Sequence, residues 1–340
     1  HMRVAITGAT GFTGGHTLKE LVASGHEPVA FVRSRSKLDA VIKLHKLPNI
    51  EYVEGDITSR ESLRPLLKDC DAVIHTAAVA ATGKKAVPLI KKVNAVGSRN
   101  VLELSAEAHL DPIIYVSSQS VLHPPPGGFY TDECPISPLP IDEYARSKAE
   151  GEFVARKLQD EGHPVVIIWP SGIIGPDDVG VSVAAKGIAR LLKAPIIPLP
   201  KTGGILMHDV RDLATVLSRC LVANKGPRKY GVFGHYLDWP ETEIFLESVT
   251  GKRLRTVTLP NSMFHTFGRF GDLIGNLGID FPLDLATSKF MTSLTPGIDA
   301  RTRSDLEVEW KPLSESFTDT LLWLVQEGQI PKRLVPKLGN

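Results

Sequence analysis

The glycine-rich segment at residues 7–14 constrains the fold of this chain more than any other stretch. An apolar run of strand type at residues 3–6 precedes it, and Leu18, Leu21 and Val22 follow it at a helical spacing. Glycine lets the backbone turn sharply and a ligand approach closely, and the start of a helix directs free N–H groups at that ligand. A strand, a glycine turn and a helix in this order predict a dinucleotide-binding unit. The residues expected to hold the pyrophosphate are Gly8, Gly11, Phe12, Thr13 and Gly14.

Composition narrows the classes of function that remain. The chain has 340 residues, more than one hydrophobic core usually organises, so we expect one large domain and one smaller domain. A net charge of +1 without a basic block argues against nucleic acid as a partner. Three widely spaced cysteines and scattered histidines predict reduced thiols and no bound metal. No apolar run reaches membrane-spanning length and no signal peptide is evident, so we expect a cytoplasmic protein without membrane partners.

Strand-like apolar runs alternate with helical segments along the first half of the chain. The runs lie at residues 3–7, 28–32, 50–53, 72–76, 113–116 and 165–169. Most are nearly continuous in valine, isoleucine and alanine, as strands covered by helices on both faces require. The alternation predicts an α/β fold, a Rossmann-type doubly wound parallel sheet with right-handed crossovers. Ligands bind to such sheets at the carboxyl ends of the strands.

The second half of the chain is less regular, and we assign most of it to a smaller substrate-binding domain. The predicted nucleotide-binding domain covers residues 2–170, with residues 207–222 returning to it. The predicted substrate-binding domain covers residues 171–206 and 223–335. The proline- and glycine-rich segment at residues 123–140 is predicted to be a long loop, of the kind that often forms a lid.

The end of the second strand carries basic rather than acidic residues. In dinucleotide-binding folds, an acidic residue about 20 positions after the glycines binds the ribose 2′-hydroxyl, whereas an arginine accommodates a 2′-phosphate. Arg33 stands near that position, Lys37 follows it, and no carboxylate competes. We therefore predict NADP(H) as the favoured cofactor and NAD(H) as the alternative. A solvated basic turn would also explain these residues.

The ends of the third and fourth strands supply further candidate contacts with the cofactor. These are Asp56, Ile57, Thr76, Ala77 and Ala78. The Asp56 carboxylate can accept a hydrogen bond from the adenine amino group, but an aspartate before a helix is also a common cap. Small residues after the fourth strand let the backbone approach the nicotinamide ribose. His75 is expected to be a packed histidine at a strand end rather than a catalyst.

Tyr144 and Lys148 are the candidate catalytic pair. Residues four apart share one face of a helix, and a nearby ammonium group lowers the pKa of a phenol. The tyrosine could then exchange a proton near neutral pH. Ser117 and Ser118 end the fifth strand, where a serine hydroxyl can donate a hydrogen bond to a substrate carbonyl or alkoxide. A polar strand end would also explain the two serines.

Together these motifs resemble those of the extended short-chain dehydrogenase/reductases of the epimerase/dehydratase superfamily. The resemblance extends through Gly55-Asp56, Val93-Asn94, Pro170-Ser171, Gly175-Pro176, residues 210–214 and Trp310-Lys311-Pro312. It implies that Tyr144 donates or accepts the proton and that Lys148 binds the nicotinamide ribose. It also implies that Ser118 polarises the carbonyl group of the substrate.

The same resemblance implies surroundings for this site and an assembly. Pro170 and Ser171 are expected to line the nicotinamide pocket. Asn94 is carried over as a member of the catalytic group, on a helix that supports the site. A homodimer is expected through a four-helix bundle that includes the helix bearing Tyr144.

Two departures from the family pattern bear on the substrate. Members that act on nucleotide sugars commonly carry an arginine where this chain has Ile205, and often another where it has Trp169. Both changes remove cations that a diphosphate needs, although Trp169 could equally be core packing. The motifs are more similar to the dihydroflavonol-reductase-like and 3β-hydroxysteroid-dehydrogenase-like branch, whose members handle apolar cyclic ketones and alcohols.

An apolar stripe in the distal half bears on the substrate as well. It consists of Phe264, Phe267, Phe270, Leu273, Ile274, Leu277 and Phe281. This spacing predicts a helix whose apolar face belongs to the core, or else lines a pocket for an apolar substrate.

The leading hypothesis is an NADP(H)-dependent ketone reductase or secondary-alcohol dehydrogenase, acting on an apolar and cyclic small molecule. A nucleotide-sugar epimerase or dehydratase that recycles its cofactor is the second hypothesis. A non-catalytic NADP(H) sensor is the third, and it is disfavoured because the chain keeps both Tyr144 and Lys148.

Overall fold

The computed structural model describes residues 1–81, 84–278, 281 and 283–338. Within these ranges it contains twelve strands. They are β1 (Arg3–Thr7), β2 (Glu27–Val32), β3 (Glu51–Glu54), β4 (Ala72–His75), β5 (Ile113–Val116), β6 (Val165–Pro170), β7 (Gly172–Ile174), β8 (Ile197–Pro200), β9 (Gly204–Asp209), β10 (Arg228–Val232), β11 (His235–Asp238) and β12 (Thr256–Leu259).

Thirteen α-helices occur in the same part of the chain. They are α1 (Phe12–Ala23), α2 (Arg35–His45), α3 (Arg60–Lys68), α4 (Val87–Ile90), α5 (Ser98–Glu107), α6 (Glu143–Asp160), α7 (Val183–Lys193), α8 (Val210–Arg219), α9 (Trp239–Thr250), α10 (Asn261–Gly275), α11 (Leu285–Ser293), α12 (Ala300–Leu306) and α13 (Leu313–Gln326). A π-helical segment, Lys91–Gly97, joins α4 to α5.

The large sheet has seven strands in the order β10-β6-β5-β4-β1-β2-β3, and every neighbouring pair is parallel. Thr7 at the end of β1 lies opposite His75 of β4 and Phe31 of β2. The order of the strands reverses between β1 and β4, and in open α/β sheets such a switch point is where a ligand binds. The predicted α/β doubly wound fold is confirmed.

The six predicted strands are present, each within a residue or two of the expected bounds. Their side chains are mostly fully buried, since helices cover both faces of the sheet. The seventh strand, β10, differs from the prediction, which placed residues 223–335 with the smaller unit. It pairs with β6 along the edge of the large sheet.

The smaller unit is built on a second core. A three-stranded sheet of β11, β9 and β7 and a two-stranded sheet of β12 and β8 pack with α7, α9 and α13. Ile188, Leu246 and Phe317 are among the buried members of this core. Helix α8, from the segment predicted to return to the nucleotide domain, packs on α1 through Leu213 and Leu217.

The segment at residues 123–140 forms no helix or strand beyond isolated bridges, as predicted for a long loop. It is tied to the smaller unit by Tyr130, which is buried. The Tyr130 backbone N–H donates to the Pro296 carbonyl oxygen (3.0 Å), and the Ile298 N–H donates to the Tyr130 carbonyl oxygen (2.8 Å). The loop therefore bridges the two units beside the start of α6.

The apolar stripe forms a helix, but most of its apolar face does not belong to the core. Phe264 is buried, and Gly268 and Gly271 of the same helix lie against residues 283–285. Four large side chains of α10 and its end are exposed, namely Phe267, Phe270, Leu273 and Leu277, whereas Ile274 is partly buried. The interpretation of the stripe as helix core is wrong for these four residues.

Within the described ranges, the structure offers no helix that combines the length and apolar character needed to cross a bilayer.

Two buried histidines predict that the fold loses stability in mild acid. Burial lowers the pKa of His75 and of His208 to about 3, whereas an unfolded histidine titrates near about 6.5. The unfolded state therefore binds protons first, and the free energy of unfolding falls from about pH 6.5 down to about pH 3. Once the unfolded ring is protonated, each histidine contributes a loss of between about 1 and 2 kcal/mol per pH unit.

Urea unfolding at intervals between pH 7 and pH 5 measures this loss. His123→Gln, at an exposed position outside the core, is the control for the substitution itself. His208→Gln should make the fall shallower. A free energy of unfolding that stays constant over this pH range would contradict the prediction.

Candidate active site

The predicted dinucleotide turn joins β1 to α1 and approaches the end of β4 closely. Gly8 has a φ of +71°, and a Cβ atom there would lie 2.6 Å from the backbone nitrogen of Ala77. A Cβ atom on Gly14 would lie 1.9 Å from the carbonyl oxygen of Gly8. Helix α1 begins after Gly11 without a side-chain cap, so its first N–H groups are left for another partner. The turn is a cradle that suits a pyrophosphate.

The start of α1 contains two more residues that are predicted to hold the pyrophosphate. Phe12 and Thr13 open α1, and both are partly exposed. The Thr13 carbonyl oxygen accepts a hydrogen bond from the Thr17 hydroxyl (2.7 Å). This bond does not involve the Thr13 side chain. The side chain and N–H of Thr13 therefore lie at the helix start where an anion would bind.

Arg33 and Lys37 are both exposed after the end of β2. Neither forms an ion pair within the described part of the chain, in contrast to Arg35, whose guanidinium donates to Asp39 (2.7 Å). Arg35 also lies over the ring of Tyr52, 4.5 Å from its centroid. Arg33 and Lys37 are therefore the cations of this segment that remain available to a 2′-phosphate.

Asp56 acts as a turn cap in this structure. Its Oδ1 accepts hydrogen bonds from the Thr58 N–H (2.9 Å) and the Thr58 hydroxyl (2.8 Å). These bonds lower the pKa of Asp56, and Lys92 and Arg33 add smaller effects. The carboxylate is exposed, so its other oxygen remains free for an adenine. The following Ile57 is buried.

The end of β4 is held against β1. The Thr76 hydroxyl donates to the Thr7 carbonyl oxygen (2.8 Å), and the Ala77 N–H donates to the Thr7 hydroxyl (3.3 Å). Ala78 is exposed beyond them. His75 is packed as expected, since its ring is hydrogen-bonded to Thr7 (2.6 Å) and to Ser98 (2.8 Å). It therefore supports the end of the strand.

Tyr144 lies in the first turn of α6, which begins where the Asp142 side chain accepts from the Ala145 N–H (2.7 Å). Burial raises the pKa of Tyr144 to about 12, the Asp142 carboxylate adds to the rise, and the nearby Ser118 hydroxyl acts in the opposite direction. The expectation of a lowered phenol pKa is therefore wrong for this structure. The Ser118 hydroxyl is hydrogen-bonded to the Ser120 hydroxyl (2.8 Å). Tyr144 is a protonated acid next to the Ser118 hydroxyl.

Lys148 follows Tyr144 by one helical turn, but its ammonium group has another partner. The Lys148 Nζ donates to the Val116 carbonyl oxygen (2.6 Å) and lies 4.9 Å from the centroid of the Tyr115 ring. Burial lowers the pKa of Lys148 to about 8, against an opposing effect of Glu152. Sequence reasoning missed Val116 and Tyr115, because a carbonyl oxygen and a buried ring carry no signal of their own in a single sequence.

Asn94 is fully buried and supports the site through hydrogen bonds. Its Oδ1 accepts from the Val79 N–H (2.8 Å), and its Nδ2 donates to the Val79 carbonyl oxygen (3.0 Å) and to the Ser147 hydroxyl (3.0 Å). The Ser147 hydroxyl in turn donates to the Tyr144 carbonyl oxygen (2.8 Å). Asn94 is a positioning residue that joins the segment after β4 to α6. Sequence reasoning missed Ser147, although it lies three residues after Tyr144.

Pro170 is the last residue of β6 and Ser171 follows it, and both are buried. The Ser171 hydroxyl donates to the Phe233 carbonyl oxygen (2.8 Å) and contacts His208 Nδ1 (3.0 Å). Its hydroxyl is therefore engaged with β9 and with the residue after β10.

The two positions that lack the family's arginines lie in the interior. Trp169 is fully buried, and its indole N–H donates to the buried carboxylate of Glu152. Arg156 pairs with the same carboxylate (2.9 Å). Ile205 is buried in the core of the smaller unit.

Comparison with known proteins gives a family and three similar sequences. The model of the NAD dependent epimerase/dehydratase family matches residues 4–232. A putative dihydroflavonol 4-reductase of Synechocystis sp. is 31% identical over 211 residues, which are 62% of this chain and 60% of that protein. Sterol demethylase protein B of Methylococcus capsulatus is 25% identical over 340 residues, 97% of this chain and 100% of that protein. Ceramide reductase of Caulobacter vibrioides is 28% identical over 348 residues, 98% of this chain and 97% of that protein.

Solved structures share the fold over nearly the whole chain. The structure of gox2253 superposes with a TM-score of 0.79 at 24% identity, covering 96% of this chain and 99% of that chain. UDP-glucose-4-epimerase from Stenotrophomonas maltophila, with bound NAD and formylated UDP-arabinopyranose, gives a TM-score of 0.76 at 18% identity, covering 97% and 99%. At these identities the similarity establishes the fold alone.

Proposed function

Since the chain belongs to the NAD dependent epimerase/dehydratase family, an extended short-chain dehydrogenase/reductase family that binds NAD(P), we propose that it is an NADP(H)-dependent ketone reductase or secondary-alcohol dehydrogenase. The observation that carries this proposal is the juxtaposition of Tyr144 and Ser118 beyond the carboxyl end of β5, with Lys148 one turn further along α6. When bound, the nicotinamide cofactor supplies or accepts the hydride.

The backbone geometry of the cradle fits a dinucleotide. Close approaches at Gly8 and Gly14 leave no room for side chains, and the uncapped start of α1 offers N–H donors. The pyrophosphate would bind there, and Asp56 and Arg33 lie at the neighbouring strand ends where an adenosine would extend. Residues 76–78 and 170–171 would line the nicotinamide end.

The proton step follows from the state of Tyr144. With a pKa of about 12, its phenol is protonated at neutral pH and can donate to an alkoxide, which is a stronger base than a phenolate. The Ser118 hydroxyl lies beside it and would donate a second hydrogen bond to the same oxygen. In the direction of oxidation, Tyr144 would take the proton of the alcohol, which requires its phenolate form.

Lys148 acts on this step through its charge and its capacity to bind hydroxyl groups. Its ammonium group has three N–H donors, and one of them donates to the Val116 carbonyl oxygen. The remaining donors are available to ribose hydroxyls. Because burial lowers its pKa to about 8, Lys148 can also exchange a proton near neutral pH.

An apolar, cyclic substrate is the class that the surroundings favour. Ile205 and Trp169 replace the arginines expected of nucleotide-sugar enzymes, and both side chains are buried. Exposed Phe267 and Phe270 on α10 add apolar surface to the smaller unit. The names of two relatives that match almost the whole chain, a sterol demethylase protein and a ceramide reductase, also refer to large apolar molecules.

Arg33 should decide the preference for NADPH. Replacement Arg33→Ala removes a cation that pairs with no carboxylate in the described part of the chain, and should weaken NADPH binding by about tenfold or more, since hydrogen bonds to charged groups contribute about 1.5–3 kcal/mol. NADH, which lacks the 2′-phosphate, should bind with unchanged affinity. Titration of nicotinamide fluorescence measures both.

Arg35→Ala is the matched control for this measurement. Arg35 is two residues away but is already paired with Asp39 and packed on Tyr52. Its replacement should change NADPH affinity less than about twofold, as expected of a surface ion pair. Equal losses for NADPH and NADH in Arg33→Ala, or tighter binding of NADH by the unaltered protein, would contradict the proposal.

We also propose that the protein is a homodimer through α5 and α6. These helices form a groove of about 450 Å³ whose lining includes Arg99, Glu103 and Lys157. Phe153 on α6 belongs to the same lining and has an exposed fraction of 60%, which is unusual for a phenylalanine. Light scattering should give twice the mass of one chain, and Phe153→Glu should give one chain. Phe267→Glu on α10 should leave the dimer intact, whereas a monomeric unaltered protein would refute the assembly.

A further inference from the structure

The fold brings together two histidines and an aspartate that are far apart in the sequence. His16 lies in α1, just beyond the glycine turn, His45 is the last residue of α2, and Asp177 lies in the loop after β7. One ring nitrogen from each histidine and one carboxylate oxygen lie within 4.8 Å of one another. Within the described residues, no other cluster of histidine, cysteine or acidic side chains meets that distance.

The three side chains are held in place by their surroundings. The His16 and His45 rings pack edge to face with centroids 4.7 Å apart, and both are buried. His16 Nε2 lies 2.9 Å from the carbonyl oxygen of Pro176, so the ring is anchored to the loop that carries Asp177. Asp177 adopts a φ of +61°, in the left-handed region that an aspartate tolerates better than most residues.

One ring nitrogen of His45 lacks a hydrogen-bond partner within the described part of the chain. This atom, Nδ1, is buried. A buried polar group without a partner costs about 1–3 kcal/mol, so such groups need an explanation. Gly15 permits the ring to come this close, because a Cβ atom there would lie 2.9 Å from His45 Nε2. The backbone of α1 thus makes room for the histidine pair.

The chemistry of the side chains suits coordination of a metal ion. A neutral imidazole keeps one ring-nitrogen lone pair that can bind a metal, and burial disfavours the charged form of both rings. Asp177 supplies an anionic oxygen that offsets part of the charge of a cation.

We propose that His16, His45 and Asp177 form a binding site for a divalent transition-metal ion of the zinc type. Two imidazole nitrogens and one carboxylate oxygen suit Zn²⁺, Co²⁺ or Ni²⁺, whereas Ca²⁺ and Mg²⁺ prefer sites made of oxygen. Zn–N bonds of about 2.0–2.1 Å place tetrahedral ligands roughly 3.3 Å apart, so small side-chain rotations close the site. Water would complete the coordination.

The position of the site defines what an ion there would do. It would tie the first half of α1 to the end of α2 and to the loop at residues 175–177. These three segments meet behind the glycine turn, since a Cβ atom on Gly175 would lie 3.6 Å from the Phe12 ring. The ion would be a structural brace for the pyrophosphate end of the cradle and has no part in the proton step at Tyr144.

Calorimetric titration of the EDTA-treated protein with ZnCl₂ tests the proposal, with the Co²⁺ absorption spectrum as a second readout. We expect one Zn²⁺ per chain, a tetrahedral Co²⁺ spectrum and a Zn²⁺-dependent rise in Tm. His45→Phe keeps a ring in the packing but removes the nitrogens, and should weaken Zn²⁺ binding by about 100-fold. Asp177→Asn, which tolerates the same φ, should weaken it by about tenfold or more.

His123→Ala is the control, because His123 is exposed and lies outside the cluster. It should bind Zn²⁺ as the unaltered protein does, and circular dichroism should show that all variants are folded. The proposal is overturned if the unaltered protein binds no Zn²⁺ at stoichiometric concentration. It is equally overturned if His45→Phe binds Zn²⁺ with unaltered affinity, since the ion would then lie elsewhere.

Discussion

Tyr144→Phe should lower kcat for ketone reduction by about 1,000-fold while leaving the Kd for NADPH within about twofold. The phenol is the group that can donate a proton to the developing alkoxide, and general acid catalysis of this kind contributes about 10²–10⁴-fold. The phenyl ring of the variant would keep the packing at the start of α6, where the helix cap at Asp142 does not depend on the hydroxyl. Steady-state kinetics and fluorescence titration measure the two quantities separately.

Tyr230→Phe is the matched control for this loss. Tyr230 lies on β10 at the edge of the sheet, and its hydroxyl donates a long hydrogen bond to Asp305 (3.4 Å). Removing the hydroxyl should cost about 1 kcal/mol of stability at most and leave kcat unchanged. Turnover by Tyr144→Phe at a rate near that of the unaltered enzyme would remove Tyr144 from the mechanism.

Gly14→Ala should weaken the binding of NADPH by about 100-fold or more. The added Cβ atom would lie 1.9 Å from the Gly8 carbonyl oxygen and 2.8 Å from the Ala9 Cα atom. Both neighbours are backbone atoms, so α1 has to move away from the turn. Overpacking of this kind typically costs about 1–3 kcal/mol, and the displaced helix start no longer directs its N–H groups at the pyrophosphate.

Gly187→Ala separates this effect from the general effect of replacing a helical glycine. Gly187 lies within α7, and a Cβ atom there meets nothing within 4 Å. The substitution should be neutral or stabilising by up to about 1 kcal/mol. Both variants are compared by Tm and by NADPH titration at low temperature. Unaltered NADPH affinity in a folded Gly14→Ala protein would show that the cradle is not the cofactor site.

Most of the sheet could be predicted from the sequence, because its central strands are buried on both faces. Ile113–Val116 and the run that ends at Trp169 are apolar throughout, and such runs have few alternatives in an α/β pattern. Strand β10 was not predicted, because it is not a continuous apolar run. It lies at the sheet edge and begins with Arg228 and Lys229, so its composition does not distinguish it from a loop.

The candidate catalytic residues were predictable by type, but their electrostatics were not. Spacing places Tyr144 and Lys148 on one face of α6, yet it does not say where each side chain ends. The ammonium group of Lys148 reaches the Val116 carbonyl oxygen, and burial dominates the pKa of Tyr144. The first fact depends on strand β5, which is distant in sequence from the helix.

Long-range contacts also explain the other discrepancies. The sequence shows His16 and His45 only as scattered histidines, and Asp177 only as part of a loop. They meet because α1, α2 and the segment after β7 converge. The stripe on α10 predicted a helix correctly, but its period cannot reveal whether a neighbouring element covers the apolar face. Here Phe264 is covered and Phe267 is not.

The proposed reaction transfers hydride between NADPH and the carbonyl carbon of an apolar ketone. The most direct test supplies NADPH deuterated at the transferable position with a panel of cyclic, aromatic and steroidal ketones, and analyses the products by mass spectrometry. We expect stoichiometric NADPH consumption and one deuterium on the carbinol carbon of a product alcohol, and we expect Tyr144→Phe to lose both. Interconversion of UDP- or GDP-sugars without net NADPH consumption, and with no ketone reduced, would contradict the proposed reaction and identify the protein as an epimerase.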